Sequence, residues 1–199
     1  MSHSYRRLIN LLLLLCACAM AGPVMADDEE SSKILVARPE LQDKLYGATI
    51  LLTKEMPDGS SVGFIMNKPT PLTLGQLFPE HAASLKVPDP IFLGGPVGTN
   101  VMFALVERPD SPGGNAVEVA PGLFLAIEAE TVDRIIETES DHARFLVGMV
   151  VWQPGELNEE MQRGLWYEMK ADSHLILNKK TEGLWEELVS RSEQIKNAI

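Results

Sequence analysis

The chain has 199 residues, enough for one domain with a substantial core. Hydrophobic residues make up 45% and charged residues 23%, which excludes a disordered chain on composition. With 28 Asp+Glu against 17 Lys+Arg the formal charge is −11, and no nucleic-acid partner is expected, because phosphate backbones select clustered Lys and Arg.

The first 26 residues have the layout of a secretory signal peptide: basic Arg6-Arg7, an apolar run from Leu8 to about Ala21, and the small-residue site Val24-Met25-Ala26. The run is short for a membrane span. Cleavage after Ala26 removes two Arg and no acid, moving the charge from −11 to −13. It also removes Cys16 and Cys18, both of the chain's cysteines, so the mature chain has no disulfide and no thiol nucleophile. Leu15-Cys16-Ala17-Cys18 also approximates a lipoprotein box, the alternative being a membrane anchor through a lipid on Cys18. Either reading expects export, to the periplasm.

Residues 27–32, "DDEESS", form an acidic, solvated lead-in, and one domain is expected over 33–199. Strand-like runs follow at 34–37, 48–53, 61–67, 101–107, 116–119, 123–127 and 145–152. Turn chemistry separates several of them, notably Pro57-Asp58-Gly59 and Ser111-Pro112-Gly113-Gly114. "TLGQLF" (73–78) reads as one short helix. In "AETVDRIIETE" Val132, Ile135 and Ile136 share a helical face, and in "TEGLWEELVSRSEQI" Leu184, Leu188 and Ile195 do the same, with Thr181 as N-cap. Strands outnumber helices without βα alternation, which predicts an α+β fold.

The stretch "VVWQPGELNEEMQRGLW" (150–166) reads as a strand-to-helix corner. Pro154-Gly155 ends the strand, and Glu156, Glu159 and Glu160 fill the first turns, where acids complement the helix dipole. Leu157, Met161 and Leu165 share the other face, and Gly164 stops the helix. Trp152 is expected to be buried beneath this corner, with the Glu156 carboxylate partly exposed. Glu156 with Glu159 or Glu160 also stands at the spacing of a carboxylate pair.

Gly59-Ser60-Ser61-Val62-Gly63 matches the G-x-S-x-G nucleophile pattern. That elbow requires a strand before the serine and a helix after it, whereas a turn precedes Ser61 here and a strand follows, so a hairpin is expected. Leu93-Gly94-Gly95-Pro96-Val97-Gly98 lacks nucleotide-loop spacing and reads as a close passage of two backbone segments. His81, His142 and His174 show no metal-ligand spacing, so no metal is expected, and no cofactor loop is present.

In their order, "ILVARPELQDKLYGATILL", "GFIMNKP", "LGGPV", "GLFLAIEAE", "ARFLVGMVVWQPGEL" and "LWEELV" resemble the AlgH/YqgE family over about residues 33–190. The resemblance implies a single α+β domain with a bent, partly barrel-like mixed sheet flanked by helices. It implies no established reaction. Its motifs mark Asn67, Lys68, Pro69, Gly94, Gly95, Pro96, Trp152, Pro154, Gly155, Glu156 and Glu160 as candidates for ligand binding. The chain departs from the pattern at Glu156, usually Gln, and at Val151, usually Gly. The expected function is an exported, non-catalytic binding or accessory domain with a protein or small-molecule partner. An enzyme using carboxylates near Glu156 and Glu160 is the alternative. The label of transcriptional regulator that some family members carry is opposed by the acidity and the export signal.

Overall fold

The computed structural model describes residues 32–197; the expected signal peptide and most of the lead-in lie outside them. Strands β1 (Lys33–Ala37), β2 (Ile50–Glu55), β3 (Ser61–Ile65), β4 (Pro69–Thr73), β5 (Pro90–Leu93), β6 (Val97–Glu107), β7 (Val117–Ala120), β8 (Leu123–Ala126), β9 (Ala143–Trp152) and β10 (Trp166–Lys170) form one curled half-barrel sheet. The helices among the described residues are α1 (Leu74–Leu77), α2 (Ala129–Thr138), α3 (Glu156–Gln162), α4 (Ser173–Leu177) and α5 (Leu184–Asn197). The main path runs β10-β1-β2-β3-β9-β6-β8-β7 with antiparallel neighbours, while β5 joins β9 in parallel and carries β4. The fold is therefore α+β with a mixed sheet, as the resemblance implies. None of the described helices is long and apolar enough to cross a membrane.

The sheet forks beside β9. Ser61–Gly63 pair with Trp152–Val150, and then β5 takes over that edge, with Phe92 opposite Leu146. Gly94 stitches the fork: its carbonyl accepts from Ile65 N at 2.7 Å and its N–H donates to Val147 O at 2.8 Å. The two backbones touch there. A Cβ on Gly94 would lie 2.3 Å from Gly148 O, and one on Gly95 would lie 2.2 Å from Met149 C. Such contacts leave room for hydrogen alone, so the glycine pair is a backbone crossing.

Period-2 alternation sorts the sheet into an inner and an outer face. The inner face presents Ile34, Leu52, Phe64, Phe103 and Leu146, with Ile176 of α4 and Leu188 and Val189 of α5 packed on it. One half of the outer face takes Val132, Ile135 and Ile136 of α2. The other half, with Leu35, Leu51, Ile65 and Trp152, takes Leu157 and Met161 of α3 together with Leu41, Leu45 and Tyr46 from the β1–β2 loop.

Arg144 closes the inner face at the end away from the β2–β3 turn. It is 2% exposed, donates to Met66 O and Asn178 O, and lies 4.3 Å from the centre of the Phe92 ring. Burial lowers its pKa to about 10, against an opposing pull from Asp89. Carbonyl dipoles and a ring face thus hold a buried cation.

Every strand-like run in the sequence falls on a strand, but β4, β5, β10 and α4 had no such signal. Helix α5 begins at Leu184 rather than directly after Thr181. Gly183 adopts φ +73°, and the Thr181 carbonyl accepts from Leu184 N at 3.3 Å, so the backbone turn sets the start.

Candidate functional site

The corner after β9 is built from its own polar groups. Gly155, at φ +84°, turns the chain into α3, and Glu156 Oε2 accepts from Gln153 N at 2.9 Å, reaching back over the first turn. Glu160 Oε2 accepts from the Trp166 indole Nε1 at 2.8 Å. Gly164, at φ +70°, ends the helix, with Gly164 N donating to Met161 O and Leu165 N to Glu160 O. This pair of bonds is the glycine-terminated Schellman arrangement. Trp152 is 4% exposed, and its indole covers Gly63, where a Cβ would lie 2.6 Å from the ring. The Glu156 side chain is exposed.

Asn67 and Lys68 serve a second corner. Asn67 Oδ1 accepts from Ile50 N and its Nδ2 donates to Ala48 O, each at 2.9 Å. Those bonds hold Ala48 at φ +54°, an uncommon conformation for a residue with a Cβ. Lys68 Nζ donates to Leu45 O; burial lowers its pKa, partly offset by Asp43. Asp43 lies below the usual carboxylate range because it accepts from Tyr46 N and Leu45 N. The Tyr46 hydroxyl is pushed up, first by burial, then by the negative charge of Asp43, Glu160 and Glu156. Pro69 opens β4 opposite Phe92, and Pro96 is exposed just past the glycine crossing.

The structure therefore brings Asn67, Lys68 and the Trp152–Glu160 corner to the same β1–β2 loop, one pair through side-chain hydrogen bonds and the other through packing. Gly94 and Gly95 sit at the fork below. Of these motif residues, Pro154 and Gly155 line the cleft under α3, while Asn67, Lys68, Gly94 and Gly95 are not among its lining.

Two concavities flank β2 on opposite faces of the sheet. The outer one, about 340 Å³, lies between α3 and the strands, with Pro154, Gly155 and Leu157 on one wall and Lys33, Thr53 and Ser61 on the other. Lys33 Nζ pairs with Glu168 Oε1 at 3.2 Å on its edge. Ser61 begins β3 opposite Trp152, after the Pro57-Asp58-Gly59 turn, so the glycine-serine pattern belongs to a hairpin. The inner one, about 230 Å³, is lined by Leu52, Phe64, Phe103, Val119, Leu125 and Met149. Its mouth carries Met56 (39% exposed), Val117 (38%) and Ile127 (45%). None of its lining comes from α4 or α5, which cover the same face farther along. Motif reading passed over these residues because they carry no rare chemistry. Their trace in the sequence is that Leu52, Phe64, Phe103, Val119, Leu125 and Met149 all fall inside the strand-like runs.

A curled mixed sheet with its polar motif residues bonded into the loops around it defines a single α+β domain. A family model described as AlgH-like matches residues 34–195, and the chain belongs to that family. A UPF0301 protein of Chlorobaculum tepidum is 32% identical over 156 residues, covering 77% of this chain and 81% of the relative. A UPF0301 protein of Bacteroides thetaiotaomicron is 25% identical, covering 80% and 81%. The fold is shared with a crystal structure of a Corynebacterium diphtheriae protein (TM-score 0.67, 18% identity, 83% of this chain and 88% of that one). It is also shared with the solution structure of the AlgH protein from Pseudomonas aeruginosa (TM-score 0.66, 22% identity, 80% and 87%).

Proposed function

We propose that this chain is an exported, non-catalytic binding domain whose ligand seat is the inner cavity. The observation that carries the reading is an apolar inner face that the described residues leave uncovered at one end, rimmed by exposed Met56, Val117 and Ile127. Exposed apolar clusters beside a concavity mark sites of binding. A dry cavity of about 150 Å³ already takes up benzene, so about 230 Å³ accepts the aliphatic tail of a small amphiphile. The tail enters and the head stays at the mouth. A chain of charge −11, or −13 after cleavage, repels anionic heads, which leaves a neutral or cationic one, with Lys54 and Glu55 among the lining residues.

The carboxylates weigh against catalysis at the α3 corner. Glu156 and Glu160 already accept from Gln153 N and the Trp166 indole, which makes them parts of the turn. Export rests on Arg6-Arg7, the leucine run and Val24-Met25-Ala26.

Titration with a medium-chain alcohol, followed by methyl NMR, tests the seat. Val119 and Leu125 should shift while Leu157 stays still, and Val117→Trp should abolish the shifts by filling the mouth. Shifts confined to the α3 cleft, or none, would overturn the reading. Cell fractionation with N-terminal sequencing tests export, and a cytoplasmic protein beginning near Met1 would end that part of it. Intact mass separates cleavage after Ala26 from a lipid on Cys18.

A further inference from the structure

The loop after α1 brings a histidine to the exposed side of α2. His81 Nε2 lies 3.7 Å from Asp133 Oδ1 and 3.8 Å from Glu137 Oε1, and the ligand atoms of the three residues all lie within 4.8 Å of one another. The two acids are four residues apart, on one face of α2. The sequence hid this set, because the histidine is more than fifty residues from either acid.

We propose that His81, Asp133 and Glu137 form a site for a divalent cation of the zinc class. Hydrogen bonds from a ring nitrogen to oxygen span roughly 2.7–3.2 Å, so neither carboxylate is bonded to the imidazole at these distances. An ion between them fits. Zinc bonds to nitrogen and oxygen at about 2.0–2.2 Å, so two atoms sharing one zinc lie at most about 4.3 Å apart, and about 3.4 Å in a tetrahedron. Both separations from Nε2 lie between those values, and the side chains of Asp133 and Glu137, 60% and 54% exposed, are free to close by a few tenths of an ångström.

The opposite side of the ring is already fixed. Nδ1 is 2.7 Å from the Ser84 hydroxyl, and Ser84 is fully buried at 0% exposure. That contact holds Nε2 towards the acids, as outer partners do for metal-bound histidines. Charge agrees as well. Two carboxylates at i, i+4 repel one another on an acidic protein, and a dication beside a neutral imidazole cancels both. One nitrogen and two oxygens suit zinc or manganese better than copper(I), which selects sulfur. The remaining positions open to water, and the ion ties the segment between α1 and β5 to α2.

The test is zinc titration of the EDTA-stripped chain by calorimetry, with long-range imidazole NMR. One zinc per chain is expected, with the His81 Nε2 resonance displaced and a rise in Tm that wild type alone shows. Asp133→Asn/Glu137→Gln should weaken binding at least tenfold, and Ser84→Ala, which keeps all three ligands, by about 10–100-fold. The double variant changes surface groups, so its Tm in EDTA should match wild type within a few degrees. Absence of zinc binding, or affinity unchanged in the double variant, overturns the site. A Tm lost equally with and without zinc would assign the cluster to a plain ion pair, and also overturns it.

Discussion

The two faces of β2 present opposite chemistry within one strand's thickness. Leu51, Thr53 and Glu55 point outward, where Trp152 closes over Gly63 beside a polar-walled cleft of about 340 Å³ under α3, while Leu52, Lys54 and Met56 point towards an apolar hollow of about 230 Å³. The outer face holds the family motif after β9, and the polar atoms of that motif are spent on holding turns. The inner face holds no motif, and its hollow is lined mainly by aliphatic and aromatic side chains. A motif can thus mark architecture, while the surface available for binding is written in ordinary aliphatic residues.

The largest test of this contrast is Trp152→Ala. If the indole is the floor of the outer face, its loss should cost ~3–5 kcal/mol, read from denaturant melts. A variant that melts like wild type would remove the distinction between the packed Trp152 floor and the inner hollow. Next comes a pair of insertions. Gly63→Ala places a methyl 2.6 Å from the Trp152 ring and should destabilise by about 1–3 kcal/mol. Val117→Trp, a much larger change at the inner mouth, should stay within about 0.5 kcal/mol of wild type. Equal penalties would show that the inner face is as tightly packed as the outer.

A smaller effect concerns the β1–β2 loop on the outer side. The Asp43 pKa is depressed below 3.8 by the N–H groups of Tyr46 and Leu45, so the carboxylate steadies the fold above that pH. Its contribution is lost as pH falls through the depressed value. Asp43→Ala should therefore flatten the acid limb of the stability curve, and leave the slope above about pH 5 unaltered. Glu156→Gln is expected to be the mildest change. The amide oxygen still accepts from Gln153 N, so melts should shift by less than about 1 kcal/mol, the size of a first-turn carboxylate effect.

Much of this was legible from local pattern. Short apolar, β-rich runs located β1, β2, β3, β6, β7, β8 and β9, because strands covered on both faces keep apolar side chains on both, as in β1 and β8. Pro154, Gly155 and Gly164 announced both ends of α3, since turn geometry is set by φ and by few residue types. Strands β4, β5 and β10 were missed. "PTPLT" and "PIFL" contain prolines, which give up the N–H that ladder bonds use, and "WYEMK" carries exposed charges on a strand that pairs with β1 alone. Those strands exist because partners elsewhere in the chain hold them.

The sequence alone determined the α+β class, the acid excess, the turns at Gly59 and Gly155, and the burial of Trp152, since each follows from neighbours within a few residues. Tertiary structure alone decided three other things. Gly94 and Gly95 meet Gly148 and Met149 across more than fifty residues, Arg144 finds its carbonyls on Met66 and Asn178, and His81 reaches Asp133 and Glu137. The uncovered inner face belongs with them, because it depends on where α4 and α5 stop along a curled sheet. Periodicity tells a strand which side is apolar, but coverage of that side is a property of the closed fold.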